Sequence, residues 1–102
     1  MKLFLDDTRP PPEGWELVKS AYDMITLLKA RTDVDEISLD HDLGDEALYG
    51  TGYTVLKWIE EAVVTSDYKT PTIKIHTNNP VGGKRMLQTI ESISRFNGEL
   101  HK

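Results

Sequence analysis

An α/β fold built on a short parallel sheet of about four strands is predicted by three observations. Short apolar runs without helical period recur along the chain, at Leu3 to Leu5, Ile37 to Leu39 and Ile73 to Ile75. Segments with apolar residues at helical spacing stand between and after them. Each run ends abruptly in polar groups: Asp6 and Asp7, then Asp40, His41 and Asp42, then His76, Thr77, Asn78 and Asn79. In open parallel sheets ligands bind outside the carboxyl ends of the strands, so these polar ends are the place to look for chemistry.

The elements follow in order. Lys2 to Leu5 reads as a strand buried on both faces, stopped by Asp6-Asp7. Thr8-Arg9-Pro10-Pro11-Pro12-Glu13-Gly14 excludes regular helix, because successive prolines lack amide donors and Gly14 permits a turn. Trp15 to Lys19 suits a short strand near a sheet edge. Ser20 opens a helix with Asp23 at capping-box spacing, and Ala21, Met24, Ile25 and Leu28 face a core. After the strand at Ile37 to Leu39, residues 44–52 read as a polar loop and candidate lid carrying Tyr49, Gly50 and Thr51. From about Tyr53, Val55, Leu56, Ile59, Ala62 and Val63 define a second amphipathic helix. Pro71 precedes a fourth strand at Thr72 to Ile75. Asn79 and Pro80 then supply an N-cap and first residue for a last helix, with Met86, Leu87, Ile90 and Ile93 on its buried stripe and Asn97-Gly98 as its expected end. Trp15 and Trp58 are assigned to the core.

The 102 residues, 38% of them hydrophobic, suit one domain over 1–102 with a single core. Cysteine is absent. That excludes disulfides, thiolate metal sites and a cysteine nucleophile, and makes the reducing cytoplasm the expected compartment. No apolar run has bilayer-spanning length, and Asp6 interrupts the start too soon for a signal peptide, so no membrane partner is expected. A net charge of −5 argues against broad DNA binding, while leaving room for a local phosphate site. No feature of the sequence identifies a protein partner.

Asp6, Asp7, Asp40 and Asp42 converge if the first and third strands are neighbours. Carboxylates about 4 Å apart at an effective dielectric near 20 repel by roughly 4 kcal/mol, which a cation would relieve. All-oxygen ligands favour Mg²⁺ or Mn²⁺. The alternative is that these aspartates only terminate strands as turn formers. His41 and His76, at two strand ends, are candidate general acid and base, with a packed structural histidine as the alternative for either. His101 in the tail has no assigned role. Thr77, Asn78 and Asn79, the helix start after them and Lys84 are suited to a phosphate, with Arg9 as a further cation. The Gly82-Gly83 pair is weak support, since glycine there also reads as loop permissiveness. Tyr49 and Tyr53 are better read as packing than as base-stacking residues.

Asp6-Asp7, Asp40 and Thr77, in that order and at strand ends, resemble the metal pair, phospho-accepting aspartate and switch hydroxyl of response-regulator receiver domains. The resemblance implies a receiver-like (flavodoxin-like) three-layer sandwich with strand order 2-1-3-4. The proline loop replaces the first receiver helix, the fifth strand and its lysine are missing, and His41 and His76 are additions. The closer resemblance is to the cyclic-phosphate-processing receiver domains. It rests on Leu5-Asp6-Asp7-x-Arg9, Leu39-Asp40-His41-Asp42-Leu43-Gly44, Thr51-Gly52-Tyr53 and His76-x-Asn78-Asn79-Pro80, and spans nearly the whole chain.

This resemblance implies metal-dependent hydrolysis of a cyclic phosphate on a nucleotide or an RNA end, by a phosphodiesterase-type hydrolase. Asp6, Asp7 and Asp40 are expected to hold the ion, with His41 and His76 moving protons in an order left open. Arg9 and Asn78 would position the phosphate, and Asp42 an imidazole or the ion. A signalling domain that is phosphorylated on Asp40, and a non-catalytic metal- or partner-binding domain, are the alternatives.

Overall fold

The computed structural model describes residues 1–100, with side chains through residue 97. Its elements are β1 (Lys2–Leu5), β2 (Glu16–Val18), α1 (Ala21–Ala30), β3 (Glu36–Leu39), α2 (Glu46–Tyr49), α3 (Gly52–Ser66), β4 (Thr72–Ile75) and α4 (Pro80–Leu100). The four strands form one sheet in the order β2-β1-β3-β4, and every pairing is parallel. Leu5 lies opposite Leu39, which lies opposite Ile75, so the strands β1, β3 and β4 end level with one another.

Strand alternation divides the sheet into two unlike faces. Leu3, Leu5, Ile37 and Leu39 turn to one side and are fully buried, in a single cluster with Met24 and Leu28 of α1, Val55, Leu56 and Ile59 of α3, and Met86 and Ile93 of α4. Burying a side chain of this size stabilises by about 1.5–3 kcal/mol, and this cluster is the main term holding helices to sheet.

The helices α1 and α3 lie on this side because the crossovers from β2 to β3 and from β3 to β4 step in the same direction and are right-handed, and α4, which follows the last strand, is held on the same side by Met86 and Ile93 in the shared core. The step from β1 to β2 runs the opposite way and therefore crosses the other face. Residues 6–15 make that crossing with no helix. The expected three-layer sandwich is accordingly two layers of regular structure plus a proline loop: with the first receiver helix and the fifth strand missing among the described residues, nothing regular forms the third layer.

On this helix-free face Phe4 is 7% exposed and meets Trp15 edge-on, with ring centroids 6.4 Å apart. The ammonium groups of Lys2 and Lys74 stand 5.6 and 6.0 Å from the Trp15 ring. Trp15 thus shields Phe4 from water and lies outside the main core to which it was assigned. Trp58 is partly buried at the core's edge, 5.1 Å from Tyr68. In β2 it is Val18 that faces the core, while Leu17 is left exposed.

Helix boundaries follow their caps. The Ser20 hydroxyl accepts from the amide of Asp23, at 3.0 Å, and starts α1. Thr51 and Thr54 exchange side chain to backbone bonds in a capping box at the start of α3. The Asn79 side-chain oxygen accepts from the Gly82 amide, at 2.9 Å, as α4 begins.

Three further expectations change. Leu87, expected on the buried stripe of the last helix, is 56% exposed. The 44–52 segment carries a helical turn, α2, capped by the Asp45 side chain on the Ala47 amide. The helix α4 continues through the expected stop at Asn97-Gly98. A single helical glycine costs only about 1 kcal/mol, and the Asn97 amide is drawn sideways to donate to the Thr70 hydroxyl, at 3.3 Å, instead of capping the helix. His101 lies outside the described residues.

Candidate functional site

The sheet's hydrogen-bond ladder runs one residue past each strand, and this brings the polar ends together. The amide of Asp6 donates to Val18, that of Asp40 to Leu5, and that of His76 to Leu39, each at 3.0 Å. Asp6, Asp40 and His76 therefore stand side by side in register on neighbouring chains. By alternation their side chains share the helix-free face with Phe4, Ser38 and Lys74.

Asp6 is completely buried and fully engaged. Its Oδ1 accepts from the amides of Thr8 and Arg9, at 2.9 and 3.0 Å, and its Oδ2 faces His76 Nε2 at 3.0 Å. Burial pushes this carboxyl up, but the Arg9 and Thr8 amides and the His76 ring together outweigh burial and hold it below the ordinary carboxylate range. Asp40 is nearly buried, with Oδ1 accepting from the amide of His41. Asp7 is exposed on the loop. Oxygens of Asp6, Asp7 and Asp40 all lie within 4.8 Å of one another, and this is the metal-compatible cluster among the described residues.

The fourth expected carboxylate, Asp42, lines the same hollow as Asp7 and Asp40 but is not in that close cluster. It accepts from His41 Nδ1 at 2.8 Å and from the Asn79 amide at 3.2 and 3.3 Å. The His41 bond, aided by Asn79, holds Asp42 below the ordinary carboxylate range despite partial desolvation. The His41 ring lies against the first turn of α4, where a Cβ on Gly82 would come within 2.6 Å of it. Gly82 is therefore needed for packing around an imidazole, a reason more specific than loop permissiveness.

His76 reaches across β3 and stacks on Phe4, with centroids 4.0 Å apart and planes 6° from parallel. Its Nδ1 meets the Ser38 hydroxyl at 2.7 Å while Nε2 meets Asp6, so both ring nitrogens are engaged. The two histidines consequently work with different partners and make no contact with each other.

A hollow of about 480 Å³ opens over the acidic cluster, lined by Asp7, Thr8, Arg9, Asp40, Asp42, Gly44, Thr77, Asn78, Asn79 and Pro80. Arg9 is fixed by a bond from Nη1 to the His76 carbonyl, at 2.9 Å, yet its side chain stays 39% exposed toward this space. Asn79 caps α4 and donates to Asp42, and the Thr77 hydroxyl accepts from the Asn79 amide at 3.2 Å; Arg9, Thr77, Asn78 and Asn79 all line the hollow. Lys84 lines an adjoining hollow that shares Arg9, Thr77 and Asn78 and adds His76, Gly83 and Leu87. The ring of Tyr49 stands beside Gly44 at the rim, and that of Tyr53 lies 5.1 Å from the Arg85 guanidinium.

Three contributors were missed at the level of sequence. Thr8 supplies an amide to Asp6, and Ser38 supplies the hydroxyl behind His76. Gly52 lets the start of α3 abut β3, for a Cβ there would run into the Asp40 carbonyl oxygen and come within 2.7 Å of Met86. Ser38 carried a usable signal: it is the polar residue inside an apolar strand, two positions before Asp40 and therefore on the same face.

A parallel sheet of order 2-1-3-4 with an acidic triad at its carboxyl edge defines a receiver-like protein. The family model for the cyclic-phosphate processing receiver domain matches residues 1–92, and the chain belongs to that family. Comparison with curated proteins and with solved structures found no match. No helix among the described residues is long and apolar enough to cross a membrane.

Proposed function

We propose that this protein hydrolyses a cyclic phosphate diester, on a nucleotide or as the 2′,3′-cyclic end of an RNA, with Mg²⁺ or Mn²⁺ held by Asp6, Asp7 and Asp40. The observation that carries this reading is the meeting of three carboxylates within 4.8 Å beside a hollow that also holds Arg9, Thr77 and Asn78. An all-oxygen donor set with one exposed member suits a hard cation that keeps open positions for water and phosphate oxygens. When bound, the ion would supply charge stabilisation to the phosphoryl group and favour ionisation of water.

The chain's own residues would do the rest. Arg9 and the Asn78 amide orient the phosphate, Arg9 through a guanidinium already anchored by the His76 carbonyl. His41 stands behind the lining of the hollow, bonded through Nδ1 to Asp42, which lines it; with the imidazole neutral, Nε2 is then the nitrogen left to accept a proton from water. The water oxygen then bonds to phosphorus, one ring P–O bond breaks, and the proton passes from His41 to the departing oxygen, giving a phosphomonoester with a free hydroxyl. His76, engaged at both nitrogens, stays in the wall of the site.

Incubation of the purified protein with 2′,3′-cyclic mononucleotides and Mn²⁺ tests this. Monoester should accumulate, and it should fall at least about 100-fold on chelation and in His41→Gln, the range that general acid-base catalysis contributes. Undiminished turnover in His41→Gln would remove the proposed proton carrier. Incorporation of phosphate on Asp40 from acetyl phosphate, with no diester turnover, would instead favour the signalling alternative.

A further inference from the structure

We propose that Ser38 is a positioning residue for Asp6, acting through the His76 ring; the inference rests on the metal-holding role of Asp6 proposed above. The geometry is a line of three side chains across three strands. The Ser38 hydroxyl on β3 meets His76 Nδ1 at 2.7 Å, and His76 Nε2 meets Asp6 Oδ2 at 3.0 Å. A carboxylate only accepts, so Nε2 must carry a proton and donate. With the ring neutral, Nδ1 is then an acceptor, and the Ser38 hydroxyl is its donor. Phe4 fixes the plane of the ring by stacking at 4.0 Å, but stacking alone leaves the ring free to turn within that plane. Ser38 removes that freedom, and with it the freedom of Nε2 to leave Asp6.

The residue type fits the place. The ring must cross β3 to get from β4 to β1, and a small side chain on β3 leaves room beneath it. Ser38 is 7% exposed, so water is a poor substitute for its hydroxyl. Asp6 has its other oxygen held by the Thr8 and Arg9 amides. Loss of the His76 bond would let Oδ2 swing and change the spacing to Asp7 and Asp40 on which a shared cation depends. Partners that orient metal ligands in this way are worth about 10–100-fold in affinity, and Ser38, acting through one intermediary, belongs near 10-fold.

The test combines Mn²⁺ binding, followed by electron paramagnetic resonance of the free ion, with long-range nitrogen-15 spectra of the His76 ring. Neither measurement needs turnover. Ser38→Ala should shift the Nδ1 resonance, broaden the ring signals and weaken Mn²⁺ binding about 10-fold, with the remaining amide spectrum preserved. In a His76→Gln background, Ser38→Ala should add almost nothing, because the path it uses is already cut. Unchanged ring resonances and Mn²⁺ affinity in Ser38→Ala, or losses that simply add in the double variant, would overturn the assignment. Were the wild type to take up no Mn²⁺, the metal reading would fall, and the ring resonances of Ser38→Ala would decide the Ser38 assignment alone.

Discussion

Asp6 shows how a buried carboxylate is kept charged by the backbone beside it. Two amides and an imidazole face its two oxygens, and their combined pull exceeds the penalty of complete burial, so its pKa lies below the ordinary 3.8. The sign of the linked stability follows. A carboxyl whose folded pKa is depressed contributes stability that is present above its unfolded value and is lost as pH falls through the folded one. In chelator, wild type should therefore exceed Asp6→Asn in stability by a constant margin near neutral pH, and the margin should close as pH falls below about 3.8. Denaturation midpoints of both proteins between pH 2 and 7, as a rough span, give the comparison. A margin that widens toward acid would mean that burial, not the amides and ring, dominates at Asp6.

At the level of elements, the site depends on how closely α3 approaches the end of β3. Gly52 opens α3, and its amide donates to the His41 carbonyl at 3.1 Å, while a methyl group there would strike the Asp40 carbonyl oxygen and the Met86 side chain. Met86 can turn away, but the carbonyl belongs to the strand that carries Asp40. Gly52→Ala should consequently cost about 3 kcal/mol, at the upper end of overpacking effects and far beyond the gain in helix propensity. Urea denaturation measures this, and a loss under 1 kcal/mol would show that the contact relaxes at small cost.

The same elements show what was legible in sequence. Level strand ends and two capped helices were readable because Asp6, Asp40 and His76 each follow a short apolar run, and Ser20 and Asn79 are of cap-forming types; Thr51, which caps α3, reads as part of the preceding loop. The turn α2 was not, since four residues hold too little helical period. The Ser38 to His76 contact was not either: the expected order 2-1-3-4 already puts β3 between β1 and β4, but that the His76 ring turns back across β3 toward Asp6 is a tertiary event. Asn97-Gly98 looked like a helix end because its use of Thr70 is a tertiary event. The meeting of Asp6, Asp7 and Asp40 followed once strands one and three were taken as neighbours, whereas the position of Asp42 depends on its bonds to the adjacent His41 and to Asn79, and only the fold puts Asn79 in reach.

For the whole molecule, the missing third layer and the acidic edge have a joint consequence. The sheet is covered by helices on one side only, so the proline loop that replaces a helix must both close the other face and supply Asp6, Asp7 and Arg9 to the site. Folding of that loop gathers carboxylates in a chain that already carries a net charge of −5, and the ion-free protein bears their repulsion. With Asp7 exposed, solvent screens its share, leaving about 1–2 kcal/mol at the water-like end of the dielectric range. Asp7→Asn should therefore melt higher than wild type in chelator, by roughly 5 °C for a domain of this size. In Mg²⁺ the order should reverse: an ion at a hundred times its dissociation constant adds about 2.7 kcal/mol to a protein that binds it only when folded, and Asp7→Asn forfeits most of that gain. Thermal melts of the two proteins with chelator and with Mg²⁺ supply all four values. A crossing of the two orders is the signature of a cation site, whereas turn-forming aspartates would leave wild type unmoved by Mg²⁺ and the order the same in both buffers.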